Sequence, residues 1–396
     1  MNYDLADICR YMKAVVIPDM PENFAVADPF RHGLPAGEIR AGIAAFRGFL
    51  YALYDKLAAE KDDIDLETGG NFDPDSAPDL YNVCSPGSVH ACYPIINDMA
   101  VLLFNLGYHG KLETGPESRL VLHCKDLLTP FDPKNEKYNS LIGMTSERKS
   151  ELLSILTELG FAFEGLNSDF DFSTIETFYV THQDGLLPAG LKLMAEAQSA
   201  KKISQYHLKG ILNLKGVLMR CDFYPLSGKT ARMKALNFDL YLSPNPPEVK
   251  EWIVHIDKLL TDNGYGASCE ISTFNAHIVF TYTSRKLNAC HEFDKVCKIC
   301  MGLDGCKVFP FGHHFAHDSS VLEELPEHML DRMSDGKHEC TGCGSKRPDL
   351  VTHSFRHTHK GVSYRRCKGH GYGFPVNNAE ERDILEKWLR TEMAWA

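Results

Sequence analysis

The sequence has no uninterrupted apolar run of about 18 residues, the length that a membrane-spanning helix requires. Its first twenty residues carry acidic and basic side chains throughout, without the apolar stretch of a secretory signal. We therefore expect no membrane insertion and a cytoplasmic location. In that reducing compartment the 13 cysteines would stay free or bind metal instead of forming disulfides.

Positive charge is also scarce, because 42 basic side chains face 53 acidic ones and the formal net charge is −11. This balance excludes a protein that binds polyanions over its whole surface, although a local basic segment can still do so. The 396 residues are 44% hydrophobic and 24% charged, which excludes wholesale disorder. Isolated cysteines among apolar residues are expected to be small core residues: Cys9, Cys124, Cys221 and Cys269.

Short motifs of common enzyme classes are missing as well. We find no G-x-S-x-G elbow, no dinucleotide-binding G-x-G-x-x-G and no H-E-x-x-H. The segment 227–230 ends like a phosphate-binding loop, but Phe223 stands where the first glycine is required. The sequence therefore assigns no nucleophile.

Helices are predicted where apolar residues recur at steps of three and four. The clearest begins at Pro35 and carries Ile39, Ile43, Phe46, Leu50, Leu53 and Leu57 on one stripe. Further helices are predicted over 94–107, 152–160, 188–200, 208–216, 249–264 and 290–302, and a last one follows an Asn378 N-cap with Glu381 at the capping-box position.

Gly107, Gly160, Gly216 and Gly264 are each expected to end a helix, and they lie 53, 56 and 48 residues apart. Extended segments follow them, at 120–124, 175–181, 217–223, 236–241 and 277–283.

This order predicts an α+β fold of repeated helix–strand–strand units, with antiparallel sheets and helices on one face. Either duplication or chance recurrence of a common pattern explains the spacing. The expected domains are a helical and irregular segment 1–90, α/β sandwich halves at 91–200 and 201–310, a linker 311–336, and a metal module with a terminal helix at 337–396.

Four potential metal ligands have paired spacing near the C-terminus: Cys340-x2-Cys343, 23 residues, then Cys367-x2-His370. Two residues between ligands let a tight turn present both side chains to one tetrahedral ion. Between the pairs, 351–357 and 362–366 are predicted to form a hairpin that turns at 358–361.

Residues 338–374 thus resemble a zinc ribbon, in which two such turns bracket a hairpin. The resemblance implies a Cys3His zinc site and nothing about activity. Because four protein ligands leave no open position, the predicted zinc site is structural. Two rivals stay open: ligation by His353, His357 or His359, which are instead expected to be exposed, and pairing of Cys340 and Cys343 with Cys297 and Cys300.

The same module is basic, with eight basic residues against two acidic ones between Lys337 and His370. These bases could contact nucleic-acid phosphates, with Phe355 and Tyr364 available to stack on bases, or they could dock on an acidic protein surface, including this chain's own. The candidate nucleic-acid contacts are Arg356, Lys360, Arg365, Arg366 and Lys368.

A second candidate cluster comprises His313, His314, His317 and Asp318. Imidazoles and a carboxylate can hold a metal with an open position that activates water. Cys297 and Cys300 with His313 and His317 also have the literal spacing of a zinc finger, but these cysteines fit the predicted 290–302 helix equally well.

The preferred interpretation is a zinc-binding cytosolic protein that acts as a binding or adaptor protein with an unknown protein partner. The alternatives are a metal-dependent hydrolase that uses the His313 cluster and a nucleic-acid-binding protein that uses the basic module.

Overall fold

The computed structural model describes residues 5–60, 94–115, 117–128, 141, 144–167, 172–199, 218–227, 238–239, 241–271, 278–284, 295–302, 305–312, 320–334, 354–367 and 372–395. The chain divides into two compact units. The first comprises residues 1–231 and 271–276, and the second comprises 232–270 and 277–396. Each unit is described by itself.

The first unit combines helices with one antiparallel sheet. Its described α-helices are α1 (Leu5–Tyr11), α2 (Ala36–Ala59), α3 (Pro94–His109), α4 (Cys124–Leu127), α5 (Ser146–Glu158) and α6 (Leu187–Ser199). Its strands are β1 (Lys111–Glu113), β2 (Arg119–His123), β3 (Phe161–Glu164) and β4 (Thr177–His182). They pair antiparallel in the order β1-β2-β4-β3.

The core of the first unit lies between this sheet and helices α3 and α6, which both contact β2. Leu120 and Leu122 on β2 are buried together with Phe178 and Val180, their partners on β4. Apolar residues at alternate positions therefore place one sheet face against the helices.

Close helix packing in the first unit depends on three glycines. Gly190 on α6 approaches Gly42 on α2 so closely that an added Cβ would lie 2.0 Å from the Gly42 carbonyl oxygen. At Gly107 on α3, an added Cβ would lie 2.7 Å from the Leu191 carbonyl oxygen of α6. Helix α6 is thus packed against two neighbours at distances that only glycine allows.

Replacing Gly190 with alanine is expected to destabilise the protein by about 1–3 kcal/mol, because a methyl group must displace backbone in a packed interface. Gly48→Ala is the matched control, since Gly48 lies on the exposed side of α2 with nothing within 4 Å of an added Cβ. That control should stabilise α2 by about 0.5–1 kcal/mol. Urea unfolding followed by far-ultraviolet circular dichroism measures both, and similar effects of the two variants would contradict this packing.

The second unit contains a five-stranded antiparallel sheet and a separate hairpin. The strands are β5 (Tyr265–Ile271), β6 (Ile278–Ser284), β7 (Lys295–Gly302), β8 (Gly305–Pro310), β9 (Ser354–His359), β10 (Val362–Cys367) and β11 (Phe374–Pro375). The larger sheet has the order β11-β8-β7-β6-β5, and β9 pairs with β10 in a separate two-stranded sheet among the described residues. The helices are α7 (Pro247–Asp262), α8 (Ser320–Glu323), α9 (Glu327–Ser334) and α10 (Ala379–Trp395).

Helix α10 supplies the largest core residue of the second unit. Trp388 is fully buried, its indole Nε1 donates to the Phe311 carbonyl oxygen at 2.9 Å, and its ring lies 5.7 Å from that of Phe374. At the start of the helix, the Glu381 amide donates to Asn378 Oδ1 at 2.7 Å, which confirms the predicted N-cap. The Glu381 carboxylate accepts instead from His328 Nε2 on α9, at 2.8 Å.

Most predicted elements are present in the described residues. Helices α2, α3, α5, α6, α7 and α10 and strands β2, β4 and β6 coincide with the predicted segments within a few residues. Gly160 and Gly264 have the left-handed φ angles of 96° and 88° expected after a helix. Cys9, Cys124 and Cys221 are buried as predicted. The predicted mixture of helices with antiparallel sheets is therefore confirmed.

Four local predictions are wrong. Residues 295–302 form strand β7 and not a helix, because pairing with β6 and β8 decides the conformation of a short apolar run that fits both periods. Residues 218–221 form a turn in which Cys221 has a φ of 50°, and residues 238, 239 and 241 are helical. Gly107 lies inside α3, where it serves helix packing.

The predicted helix over 208–216 lies outside the described residues, as do residues 313–319 and the segment 335–353 that precedes the hairpin. The described residues of the predicted linker 311–336 include helices α8 and α9. The five-domain division and the duplication stay predictions. Among the described helices, none is long and apolar enough to cross a membrane.

Candidate functional site

The candidate site is the C-terminal hairpin, strands β9 and β10, together with helix α9, which packs against β9. Six residue pairs join the strands in continuous register, from Val362 opposite His359 to Cys367 opposite Ser354. Lys360 and Gly361 form the turn with φ angles of 51° and 76°, as a two-residue hairpin turn requires. The predicted hairpin is confirmed, with a shorter turn than the sequence indicated.

The inner face of the hairpin carries two buried histidines. Phe355, His357 and His359 alternate along β9, and the two histidine residues are only 7% and 8% exposed. The expectation that these histidines are exposed is therefore wrong. Because Phe355, His357 and His359 occupy alternate positions on β9, their side chains lie on the same buried face of the hairpin.

His359 belongs to a charged cluster with helix α9. Its Nε2 lies 2.8 Å from Asp331 Oδ1, and the Lys360 ammonium lies 2.9 Å from Asp331 and 3.1 Å from Glu327. Hydrogen bonds from Lys360 and His359 lower the pKa of Asp331, and the bonds to Asp331 and Glu327 raise that of Lys360. The cluster holds the hairpin turn against α9.

Glu327, Asp331 and His359 also have ligand atoms within 4.8 Å of one another, a spacing that a metal ion could bridge. However, the ammonium of Lys360 already contacts both carboxylates. The Lys360 ammonium thus supplies the positive charge that a metal ion would otherwise provide. The cluster is therefore an ion-pair network between the hairpin and helix α9. This cluster was not predicted from the sequence, where its signal is the i, i+4 spacing of Glu327 and Asp331 on one side of a short helix.

His357 is neutral at physiological pH. Burial, followed by the nearby charge of Arg366 and by His359, lowers its pKa from 6.5 to about 4. Its ring stacks on Tyr364, the residue opposite it on β10, with the ring centroids 5.4 Å apart.

Acid is therefore expected to destabilise the second unit through His357. The unfolded chain binds this proton below about pH 6.5 and the folded protein only below about pH 4, so stability is complete above this window and is lost as the pH falls through it. The loss should approach about 3 kcal/mol, and His357→Phe should remove it. Urea unfolding at several pH values, followed by tryptophan fluorescence, measures the difference, because all three tryptophans, 252, 388 and 395, lie in the second unit. A His357→Phe variant as acid-sensitive as the unmodified protein would contradict this role.

The basic residues of the hairpin fall into two groups. Arg366 is 1% exposed, donates from Nε to the Met333 carbonyl oxygen and lies over the Tyr364 ring, so it is not available at the surface as predicted. Lys360 is engaged by α9. Arg356 and Arg365 instead lie directly opposite each other on the outer face, where Arg356 is exposed and Arg365 half-buried.

The described residues include only part of the predicted zinc site. Cys367 is the last residue of β10, and the positions of Cys340, Cys343 and His370 lie outside the described residues. Lys368 and the whole His313, His314, His317 and Asp318 cluster lie outside them as well.

The rival ligand pair Cys297 and Cys300 is ruled out by strand geometry. The two cysteines lie three residues apart on β7, and residues at odd separations in a strand face opposite sides of the sheet. Cys297 is buried in the core, and this burial raises the pKa of its thiol. These cysteines therefore cannot form a two-residue turn around one ion, and the zinc-finger spacing at 297–317 is coincidental.

No known protein family, curated protein or solved structure matches this chain.

Proposed function

We propose that residues 338–374 form a structural zinc ribbon, in which Cys340, Cys343, Cys367 and His370 bind one zinc ion. On this proposal the chain is a cytoplasmic binding or adaptor protein whose surface depends on zinc. The observation that carries the proposal is the register of the C-terminal hairpin.

That register supports a common site for the two ligand pairs. Cys367 closes β10 opposite Ser354, the first residue of β9. Strand β9 therefore begins beside the end of β10, the strand that His370 follows by three residues in the sequence. Ten residues, 344–353, separate Cys343 from Ser354, and this length is ample to fold back on the open end of the hairpin.

The composition of the hairpin explains why a metal would be required. Its buried face contains one large apolar residue, Phe355, with two histidines and an arginine. Such a module gains little from apolar burial, and the free energy of zinc binding can then serve as folding free energy. With all four positions filled by protein ligands, zinc would leave no position for substrate, so we propose binding and not catalysis.

Elemental analysis of the purified full-length protein tests this proposal. We expect one zinc per chain, and we expect its loss in Cys340→Ser. Cys300→Ser is the matched control, because Cys300 is a half-exposed cysteine on β7 with no place in the proposed site. Protein without zinc, or equal zinc content in both variants, would refute the proposal.

A further inference from the structure

The outer face of the C-terminal hairpin carries two arginines that no described residue pairs with. Arg356 and Arg365 make no hydrogen bond or ion pair with any described residue. The other arginines in the described ranges all have such partners, for example Arg148 with Asp98 and Arg220 with Asp222. This pair is therefore an exception in an acidic chain of net charge −11.

The two arginines also stand directly opposite each other in the strand register. Residues directly opposite in an antiparallel pair have Cβ atoms about 4.5–5.5 Å apart, and like charges at such positions destabilise the sheet. Arg356 and Arg365 occupy one such pair. An anion between them would relieve this repulsion, and a carboxylate accepts two parallel bonds from a guanidinium.

The rest of the outer face suits an extended acidic segment. Thr358 and Ser363, the next pair towards the turn, are exposed hydroxyl residues that can donate hydrogen bonds. The Lys360 ammonium forms ion pairs with Asp331 and Glu327 on α9 and is therefore not counted among the donors of the outer face. The described outer face thus presents a row of donors without a carboxylate.

Nucleic acid fits this face less well. Affinity for nucleic acid grows with the number of phosphates neutralised, and two arginines neutralise only about two of them. Tyr364, the aromatic residue expected to stack on bases, lies on the inner face against His357.

We infer that the Arg356–Arg365 pair binds a carboxylate-rich peptide segment of a protein partner. This inference deepens the proposed function by naming the partner's chemistry, and it rests on that proposal for the view that the chain is a binding protein. The site uses two of the five basic residues that the sequence predicts for nucleic acid, and it does not use Arg366 or Lys360.

Fluorescence anisotropy with a labelled octaglutamate peptide and the full-length protein at low salt tests the inference. The double variant Arg356→Glu, Arg365→Glu should weaken binding by about tenfold or more, because both ion pairs become repulsive. The matched control is Lys258→Glu, Lys387→Glu, which changes the net charge equally at exposed positions on α7 and α10. This control should bind like the unmodified protein.

Three results would overturn the inference: no binding of the peptide by the unmodified protein, equal losses in both double variants, or tighter binding of a labelled oligothymidylate than of the peptide. Zinc content, measured on the same samples, separates this result from the proposed function. Peptide binding by protein that lacks zinc would refute the zinc ribbon alone, and one zinc per chain without peptide binding would refute the inference alone.

Discussion

The Cys340→Ser variant is expected to lose zinc and to unfold the C-terminal hairpin, while the first unit stays folded. Structural zinc sites in small modules contribute apparent binding free energies of about 10–16 kcal/mol, more than the hairpin can replace from its own packing. Phe355 is its one large buried apolar residue, and its other buried residues are His357, His359 and Arg366. Losing the metal should therefore remove most of the free energy that orders residues 354–367.

Hydrogen–deuterium exchange measures this effect for each segment. In Cys340→Ser, amides of β9 and β10 should exchange as fast as those of an unfolded peptide, and amides of α2 and α6 should keep their protection. Cys300→Ser should change neither region. A hairpin that stays protected in Cys340→Ser would show that α9 and the Lys360 cluster suffice to hold it.

The second large effect is expected from Trp388→Ala, which should destabilise the second unit by about 3–5 kcal/mol. Trp388 is fully buried against Phe374, and its indole nitrogen donates to the Phe311 carbonyl oxygen at 2.9 Å. The substitution would leave a cavity and an unpaired carbonyl group in one step.

Trp388→Phe separates these two contributions. It keeps most of the apolar volume and removes the hydrogen bond, so it should cost less than half as much as Trp388→Ala. Urea unfolding followed by the fluorescence of Trp252 and Trp395 measures both variants. A loss below about 1 kcal/mol in Trp388→Ala would contradict the central place of this residue in the core.

Long helices could be predicted from the sequence because the spacing of their apolar residues fits only the helical period. The stripe from Ile39 to Leu57, in a helix of 24 residues, fits only the helical period, and all its members are buried. The eight-residue run at 295–302 fits both periods, and its place between β6 and β8 decides the matter. Local pattern carries no information about such partners.

The candidate site shows the same limit. The spacing of Cys340, Cys343, Cys367 and His370 led to the hairpin between the ligand pairs, and that hairpin is present. The burial of His357 and Arg366 was missed, because it depends on α9 covering one face of the hairpin. Which basic residues are engaged and which stay on the outer face likewise depends on contacts such as that of Lys360 with Asp331. The sequence alone does not contain such distances.

X-ray absorption at the zinc edge of the full-length protein reports the ligands of the proposed zinc ion. We expect three sulfur ligands at about 2.3 Å and one nitrogen ligand at about 2.0–2.1 Å from zinc. Four sulfur ligands, or a shell of oxygen and nitrogen without sulfur, would contradict this expectation.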